Sequence, residues 1–357
     1  DKQMTISAFS DELAQVRTKK KEFLSQIERI VPVEGMAIPD SAVHYKGERG
    51  NKPYPLEIML RLYLLQNLYD LSDEATAAEA IDSRAFSDFC GIDSSNQGPD
   101  GDTLGRFRNL LIKNGLQEKL FSQVVAALME RGLILKKGTI VDSTIISAPS
   151  STKNSEKKQD PDAHQVKKAN LDFGYKAHIG VDKDSGLVHT VEATSANVHD
   201  VTKTSKLLTG EEEVVYGDSG YLGAGKHDDA IIRNKAGRKI KYRINRRPSQ
   251  VKKLSKSGQY AAKKAEHAKS SVRAKVEHVF GVVKKQLRFR KTRYRGLEKQ
   301  RAKFNIMFAL ANLILLTGLA WQLESVYSVS QSMGQSYWFL QNGFPANAHP
   351  SICAVLP

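Results

Sequence analysis

An apolar stretch with an acid at its centre, TIVDSTIIS at Thr139–Ser147, decides the fold of this chain. Its β-branched residues predict a buried strand, and Asp142 interrupts that strand where a carboxylate must be paired or hold a metal. A second acid, Asp218, follows the short apolar strand predicted at Glu213–Tyr216 across a single glycine. Each acid taken alone is more often a satisfied structural residue than a catalytic one.

The segments that follow predict the rest of an α/β core. A strand pair is predicted at Gly174–Val181 and Leu187–Thr194, because the connecting DKDSG supplies the Asp and Gly residues of a tight hairpin. Helices are predicted at Val201–Leu208, Ala261–Gln286 and Lys303–Leu319. The order of strand, hairpin, helix, strand and helix indicates one central sheet.

The chain before Gly138 reads as helical. Its strongest pattern, LEIMLRLYLLQNLY at Leu56–Tyr69, predicts an amphipathic helix. Such a region could contain a helix-turn-helix that binds DNA, or form a small helical bundle, and the sequence leaves both open. We expect a helical N-terminal domain over residues 1–132, an α/β domain over 133–320 and a C-terminal tail over 321–357.

The distribution of charge predicts a polyanionic partner. The chain has 54 Lys and Arg against 39 Asp and Glu, a formal charge of +15. Between Lys226 and Lys303 there are 27 basic and 5 acidic residues, so the remainder of the chain is net acidic. Two cysteines favour a reducing cytoplasm. The apolar run Phe304–Ala320 contains two asparagines and favours a buried core helix over a membrane span.

A third acid lies on the helix predicted from Ala261. At about 100° per residue, Arg273, Glu277 and Lys284 project within roughly 40° of one another, on one helical face. An ordinary salt bridge between residues four apart would give part of this pattern, so the spacing alone does not identify a site.

Together these motifs resemble the catalytic core of insertion-sequence transposases, in particular the insertion sequence 5 family and its insertion sequence 4 relatives. The matching motifs are VDST at Val141–Thr144, GDSGY at Gly217–Tyr221 and the Arg, Glu and Lys spacing of the helix. FGYKAHIGVD, TSANVHD and YPLEIMLRLYLLQNLYDLSD extend the likeness. The chain departs from the family at Ser270, where a Tyr is usual, and at Leu171-Asp172, where Trp-His is usual.

The resemblance implies a ribonuclease-H-like core that uses three carboxylates. Asp142 and Asp218 would share two Mg²⁺ or Mn²⁺ ions and Glu277 would complete the site, because hard oxygen ligands suit these ions. Arg273 and Lys284 would grip phosphates beside the scissile bond. For His199 and Asp200, which follow in the TSANVHD motif, a structural role is favoured over metal binding.

The resemblance also implies an inserted β-rich subdomain, expected at about residues 224–262. It contains RKIKYRINRRPS, in which basic residues could neutralise phosphates and Tyr242 could stack on a displaced base. For Tyr242, core packing is favoured over base stacking. The residues assigned to DNA contact in this segment are Lys241, Tyr242, Arg243, Arg246 and Arg247.

The function expected from these features is cut-and-join transposition. The protein would bind the terminal inverted repeats of its element, as a homodimer on DNA, in the bacterial cytoplasm and without a membrane. A related nuclease that cuts without joining would keep the same three acids. A DNA-binding repressor or inactive remnant is the alternative from another class. The three acids with their Arg and Lys spacing argue against it, and the departures at Ser270 and Leu171-Asp172 are the best evidence for reduced activity.

Overall fold

The computed structural model describes residues 18–30, 53–93, 98–153, 157–167 and 171–332. The chain divides into two compact units, Asp1–Leu110 and Leu111–Pro357. Within the region predicted to be helical, residues 1–17 lie outside the described part of the chain. The division into domains at residues 132 and 320 stays a prediction.

The first unit is helical, as predicted. Its elements are α1 (Lys19–Ile30), α2 (Leu56–Leu68), α3 (Asp73–Asp82), α4 (Arg84–Cys90) and α5 (Gly101–Lys113), the last of which continues into the second unit. The prediction of an amphipathic α2 is wrong, because every residue from Met59 to Leu68 is buried. A helix that is buried all round lies at the centre of its unit.

The polar residues of α2 are compensated inside the first unit. Arg61 forms ion pairs with Glu57 and Glu28 at 2.8 and 2.6 Å, and it donates to the carbonyl of Phe89. A buried guanidinium is tolerated only with such partners. Arg61 therefore joins three helices of the bundle.

The second unit is built on a six-stranded sheet. Its elements, in chain order, are the helix α6 (Leu116–Glu130), the strands β1 (Gly138–Ser147), β2 (His164–Lys167), β3 (Leu171–Asp182), β4 (Val188–Ser195), β5 (Val214–Gly217) and β6 (Lys241–Ile244), and the helices α7 (Pro248–Lys252), α8 (Lys256–Gly281) and α9 (Leu297–Ser332). The strand at β1 and the hairpin of β3 and β4 are confirmed. Between them lies the short strand β2, which was not predicted.

The sheet combines antiparallel and parallel pairs. β1 lies between β3, its antiparallel neighbour, and β5, its parallel neighbour. β2 and β4 both pair with β3, and β6 pairs in parallel with β5. The carboxyl ends of β1, β5 and β6 therefore point the same way, which is the edge where α/β sheets place ligands.

The long apolar helix at the end of the unit is a core helix, as predicted. α9 packs on β4 and α6, and Asn312 hydrogen-bonds to the N–H and C=O of Val188 at 2.8 Å each. Among the described residues, no helix is both long and apolar enough to cross a membrane. α9 continues to Ser332, so the first part of the segment predicted as a tail is helical; residues 333–357 lie outside the described part.

Two predictions about this unit are wrong. Val201–Leu208 is not one helix but two 3₁₀ turns, Asp200–Lys203 and Ser205–Leu207, because Leu207 and Leu208 turn inward to pack on the sheet. The prediction of a β-rich insertion is also wrong. The described segment 224–262 contains one strand of the sheet, β6, which pairs with β5 as an edge strand of the central sheet.

Candidate active site

Asp142 and Asp218 lie at corresponding positions on neighbouring parallel strands. The register pairs Val141 of β1 with Gly217 of β5, and each acid is the next residue along its strand. Asp142 lies in the middle of β1 and Asp218 directly follows β5, so the two acids are neighbours at the point where the β1–β5 pairing ends. The sequence placed Asp142 in a strand and Asp218 just after one, and the register brings the two positions together.

The turn after β5 holds the Asp218 side chain. Its Oδ1 accepts a hydrogen bond from the N–H of Gly220 at 2.8 Å and caps the 3₁₀ turn Ser219–Tyr221. A Cβ added at Gly220 would lie 2.9 Å from this oxygen. The glycine of GDSGY therefore leaves room for the second carboxylate.

Helix α8 brings a cation and the third acid to the same place. Arg273 Nε lies 3.4 Å from Asp142 Oδ2, and Glu277 is one helical turn further along with an exposed side chain. Lys284 lies in a π-helical turn, Val282–Gln286, that continues α8. The predicted common face of the three residues assumed an unbroken α-helix, and this wider turn shifts Lys284 from that position.

The electrostatics of Asp142 set it apart from an ordinary ion pair. The pKa of Asp142 is raised to about 7, mainly by burial and to a smaller extent by the charges of Asp218 and Glu277. The Ser143 N–H and Arg273 act in the opposite direction without cancelling the effect. The carboxylate of Asp142 therefore accepts few hydrogen bonds and feels the negative charges of the two other acids.

The chemistry of these residues fits a divalent cation, although their side chains are not arranged around a common ion position. Across the described residues, no group of three or more His, Cys, Asp or Glu side chains is arranged to hold an ion. The donor set offered at this place is nevertheless purely carboxylate, the type that Mg²⁺ and Mn²⁺ prefer. A cation would also relieve the repulsion that raises the pKa of Asp142.

The basic residues of β6 and the loop after it face solvent. Lys241, Arg243, Arg246 and Arg247 are exposed, and the guanidinium of Arg243 lies 5.9 Å from the centre of the Tyr216 ring. Alternation along β6 puts its basic side chains outward. Four of the five residues assigned to DNA contact are thus on the surface.

Tyr242, the fifth, has the other orientation. It is half-buried against the apolar cluster beneath the sheet, and its hydroxyl donates to the carbonyl of Ile231 at 2.9 Å. Its assignment as a DNA contact is therefore corrected to the core-packing alternative. The exposed aromatic of this region is Tyr260, on α8, with 76% of its surface accessible.

A polar network beside the acids was only partly recognised in the sequence. Asp200 Oδ1 accepts from Ser143 Oγ at 2.8 Å and lies 3.0 Å from Lys176 Nζ. Its distance to His178 Nδ1 is 3.6 Å. The structural role favoured for Asp200 agrees with these contacts. Lys176 was missed, although a lysine inside the strand pattern FGYKAHIGVD was a signal.

At the family's usual tyrosine position, Ser270 takes part in a different contact. Asn245 donates to Ser270 Oγ at 3.2 Å and to Glu266 Oε2 at 3.0 Å, linking the end of β6 to α8. Lys269 strengthens the link by donating to the carbonyl of Ile244 at 2.9 Å. Leu171 and Asp172 begin β3, but their side chains lie outside the described part.

Comparison with known families identifies the class of protein. Residues 134–313, just over half of the 357, match the family described as transposase DDE domain. Residues 11–110 match a second family, described as transposase domain (DUF772). No solved structure matches the chain. The chain belongs to the DDE transposases, which act on DNA and use divalent metals, and its assignment to insertion sequence 5 stays a prediction.

Proposed function

We propose that this transposase binds the terminal inverted repeats of its insertion sequence and catalyses metal-dependent cleavage and strand transfer of DNA. The observation that carries the proposal is the register of β1 with β5, which makes Asp142 and Asp218 neighbours at the place that Arg273 of α8 reaches. Burial, with smaller contributions from the charges of Asp218 and Glu277, raises the pKa of Asp142 to about 7. Perturbed carboxylates of this kind are typical of catalytic sites.

We assign the metal-ligand role to Asp142, Asp218 and Glu277. Two divalent ions, when bound, would activate the attacking oxygen and stabilise the leaving oxygen of an in-line displacement. Asp142 and Asp218 are fixed by the sheet, whereas exposed Glu277 can adjust from α8. This combination of two rigid carboxylates and one adjustable carboxylate supports a site that closes around its ions.

Arg273 would contribute by gripping the phosphate next to the scissile bond. Its guanidinium reaches the Asp142 carboxylate from α8, so it lies beside the position of the reacting phosphate. An arginine fork matches two phosphate oxygens geometrically. Lys284 would add a point charge from the π-helical turn.

The fold inferred for this unit is the ribonuclease-H-like core. An antiparallel hairpin next to the acid-bearing central strand, followed by parallel strands and a helix with the third acid, supports this assignment. The helical N-terminal unit remains a candidate for recognition of the DNA ends. Because two ends must be joined, we propose a homodimer on DNA.

The DNA is proposed to lie along the basic surface of β6 and the first half of α8. That half of α8 exposes nearly all of its faces and carries Lys256, Lys263 and Lys264. A helix with so little buried surface and so many cations is suited to phosphate contact. Tyr260 offers an exposed ring on which a displaced base could stack.

The test is cleavage of a supercoiled plasmid that carries the two inverted repeats flanking the element. The purified protein is incubated with Mg²⁺ or Mn²⁺, and new 3′-hydroxyls and joined products are mapped. Asp142→Asn and Glu277→Gln are run beside the wild type, with Glu298→Gln as a matched exposed control on another helix.

Each result leads to a different conclusion. End cleavage and joining that both substitutions abolish would support the transposase, and cleavage without joined products would indicate a nuclease. If all four proteins bind the ends and none cuts, the catalytic proposal is overturned and the repressor reading replaces it.

A further inference from the structure

Asp200 stands between the two segments that carry the strand acids. Its Oδ1 accepts from the hydroxyl of Ser143, the residue directly after Asp142 on β1, at 2.8 Å. Its Oδ2 faces the other segment, 3.4 Å from where a Cβ on Gly220 would lie, two residues after Asp218. The Asp200 carboxylate thus contacts Ser143, the neighbour of Asp142, and lies beside the turn that holds Asp218.

A buried lysine fixes this carboxylate. The side chain of Lys176 is 5% exposed, and its Nζ contacts Asp200 Oδ1 at 3.0 Å and the Val198 carbonyl at 2.7 Å. Burial alone would raise the pKa of Asp200, but the hydrogen bonds and charges of Lys176 and Ser143 lower it overall. Asp200 is therefore held as a carboxylate whose charge Lys176 balances.

The network lies on the face of the sheet opposite α8. Consecutive residues of a strand point to opposite faces, so Ser143 points away from the side on which Arg273 reaches Asp142. Ser143 and His178 are cross-strand partners in β1 and β3, and Lys176 lies on the same face of β3. Arg273 of α8 thus reaches Asp142 from one face of the sheet, and the Asp200 network lies on the other face.

We propose that Asp200 is a positioning residue for the Asp142–Asp218 pair, acting through Ser143 on one side and the Gly220 turn on the other. This role rests on the proposed function of that pair. Asp200 is not a fourth ion ligand, because one oxygen is taken by Ser143 and Lys176 and its charge is balanced within the protein. Its effect is to keep the carboxylates of Asp142 and Asp218 at a fixed separation.

The experiment uses the full chain with three substitutions. Asp200→Ala removes the acceptor, Asp200→Asn keeps an oxygen for Ser143 but loses the charge, and Ser143→Ala removes the donor while leaving the Lys176 pair in place. Thr202→Ala, on the same 3₁₀ turn with its hydroxyl bonded to the His199 carbonyl, is the matched control.

Three quantities are measured for each protein: the cleavage rate at saturating plasmid, the affinity for an inverted-repeat duplex, and the rise in melting temperature caused by Mn²⁺. We expect Asp200→Ala and Ser143→Ala to lower the rate by roughly 10- to 100-fold, since misplacement by about 1 Å has effects of this size. DNA affinity should change less than about twofold, because no contact to DNA is removed. The Mn²⁺-induced shift should shrink, and Asp200→Asn should retain more activity than Asp200→Ala.

The pair Asp200→Ala and Ser143→Ala also tests the path of the effect. If Asp200 acts through Ser143, the double variant should be little worse than the poorer single variant. Wild-type rate and Mn²⁺ shift in Ser143→Ala would overturn the proposal, even if Asp200→Ala fails to fold. Equal losses of rate and DNA affinity in all variants would show a general structural role and would also overturn it.

The outcome is separable from that of the proposed function. If the wild type does not cut and Asp142→Asn behaves identically, the proposed function fails. If Asp142→Asn abolishes cleavage while the Asp200 and Ser143 variants cut like Thr202→Ala, only the positioning role fails.

Discussion

Both ends of the β1–β5 pairing carry acids, and these acids have opposite surroundings. At the amino end, Glu212 is fully buried and accepts from Thr139 Oγ1, from the N–H and hydroxyl of Thr209, and from the N–H of Gly210. At the carboxyl end, Asp142 accepts from the N–H of its own neighbour and meets Arg273 at 3.4 Å.

A second acid at the amino end repeats the first pattern. Asp182 is fully buried, with Oδ1 bonded to Asp184 N and to both polar groups of Ser185, and Oδ2 to Leu135 N and Lys136 N. Its donors come from two turns that it holds together. A carboxylate whose oxygens accept this many hydrogen bonds has a structural role. A carboxylate with few donors and other acids nearby has oxygens available to bind a further ligand.

The largest expected effect concerns the carboxyl end. Asp218→Asn should lower DNA cleavage by at least about 1,000-fold, equivalent to about 4 kcal/mol of barrier, because an amide is a weak metal ligand. The melting temperature should change little, since Asn can still accept the hydrogen bond from Gly220. Cleavage rates and thermal melts are measured on the same preparation, and a rate within tenfold of wild type (about 1.4 kcal/mol) would place the second ligand elsewhere.

At the amino end of the β1–β5 pairing, a substitution should reduce stability rather than act on cleavage directly. Glu212→Ala should lower the free energy of unfolding by about 3 kcal/mol, because it leaves buried donors of Thr139, Thr209 and Gly210 without acceptors. Urea denaturation followed by circular dichroism measures the loss. Exposed Glu211, whose contact to Lys235 is 3.5 Å long, is the adjacent control; Glu211→Ala should change stability by less than about 0.5 kcal/mol. Equal losses in the two variants would remove the distinction between the ends.

How much of this contrast could be predicted depends on how local its causes are. The strand at Asp142, the hairpin and the two long helices follow from apolar periodicity and turn residues, and the structure confirms them. The approach of Asp142 to Asp218 needed the parallel register of β1 with β5, which no local pattern encodes. Here the family resemblance supplied what periodicity could not.

The predictions that failed did so where tertiary packing overrides local pattern. The segment with Val201–Leu208 has a helical period, yet packing of its leucines on the sheet divides it into 3₁₀ turns. The sequence around β6 alternates as a strand should, but its partner is β5 of the main sheet rather than a new subdomain. Lys176 was missed because its counter-charge, Asp200, is distant in sequence and near only after folding.

The dependence of stability on pH sharpens the comparison further. Because the pKa of Asp142 is about 7 in the folded protein, against 3.8 for an ordinary Asp, its contribution to stability is present below pH 4 and is lost as pH rises through 7. Asp142→Asn does not titrate. In chelator-treated protein, the variant should therefore match the wild type near pH 4 and exceed it by about 2 kcal/mol at pH 8.

Urea denaturation across that range measures the difference, with Glu298→Gln as an exposed carboxylate control that should not alter the pH profile. The expected gain is smaller than the full linkage value because water and neighbouring groups can rearrange around the ionised carboxylate of Asp142. A difference that stays constant from pH 4 to pH 8 would show that Asp142 does not titrate abnormally, and the carboxyl end would then resemble the amino end.

The smallest expected effect applies the same distinction to two tyrosines. Tyr242 has a buried partner for its hydroxyl, whereas Tyr260 has an exposed ring on a basic helix. Tyr242→Phe should lower stability by about 1 kcal/mol and leave DNA affinity unchanged, because it removes one internal hydrogen bond. Tyr260→Ala should lower affinity for single-stranded DNA by about 5- to 10-fold and leave stability unchanged, because it removes a stacking surface. Fluorescence anisotropy with a labelled oligonucleotide, beside urea denaturation, separates the two outcomes; a loss of affinity in Tyr242→Ala, which removes the ring, without a loss in Tyr260→Ala would return the base-stacking role to β6.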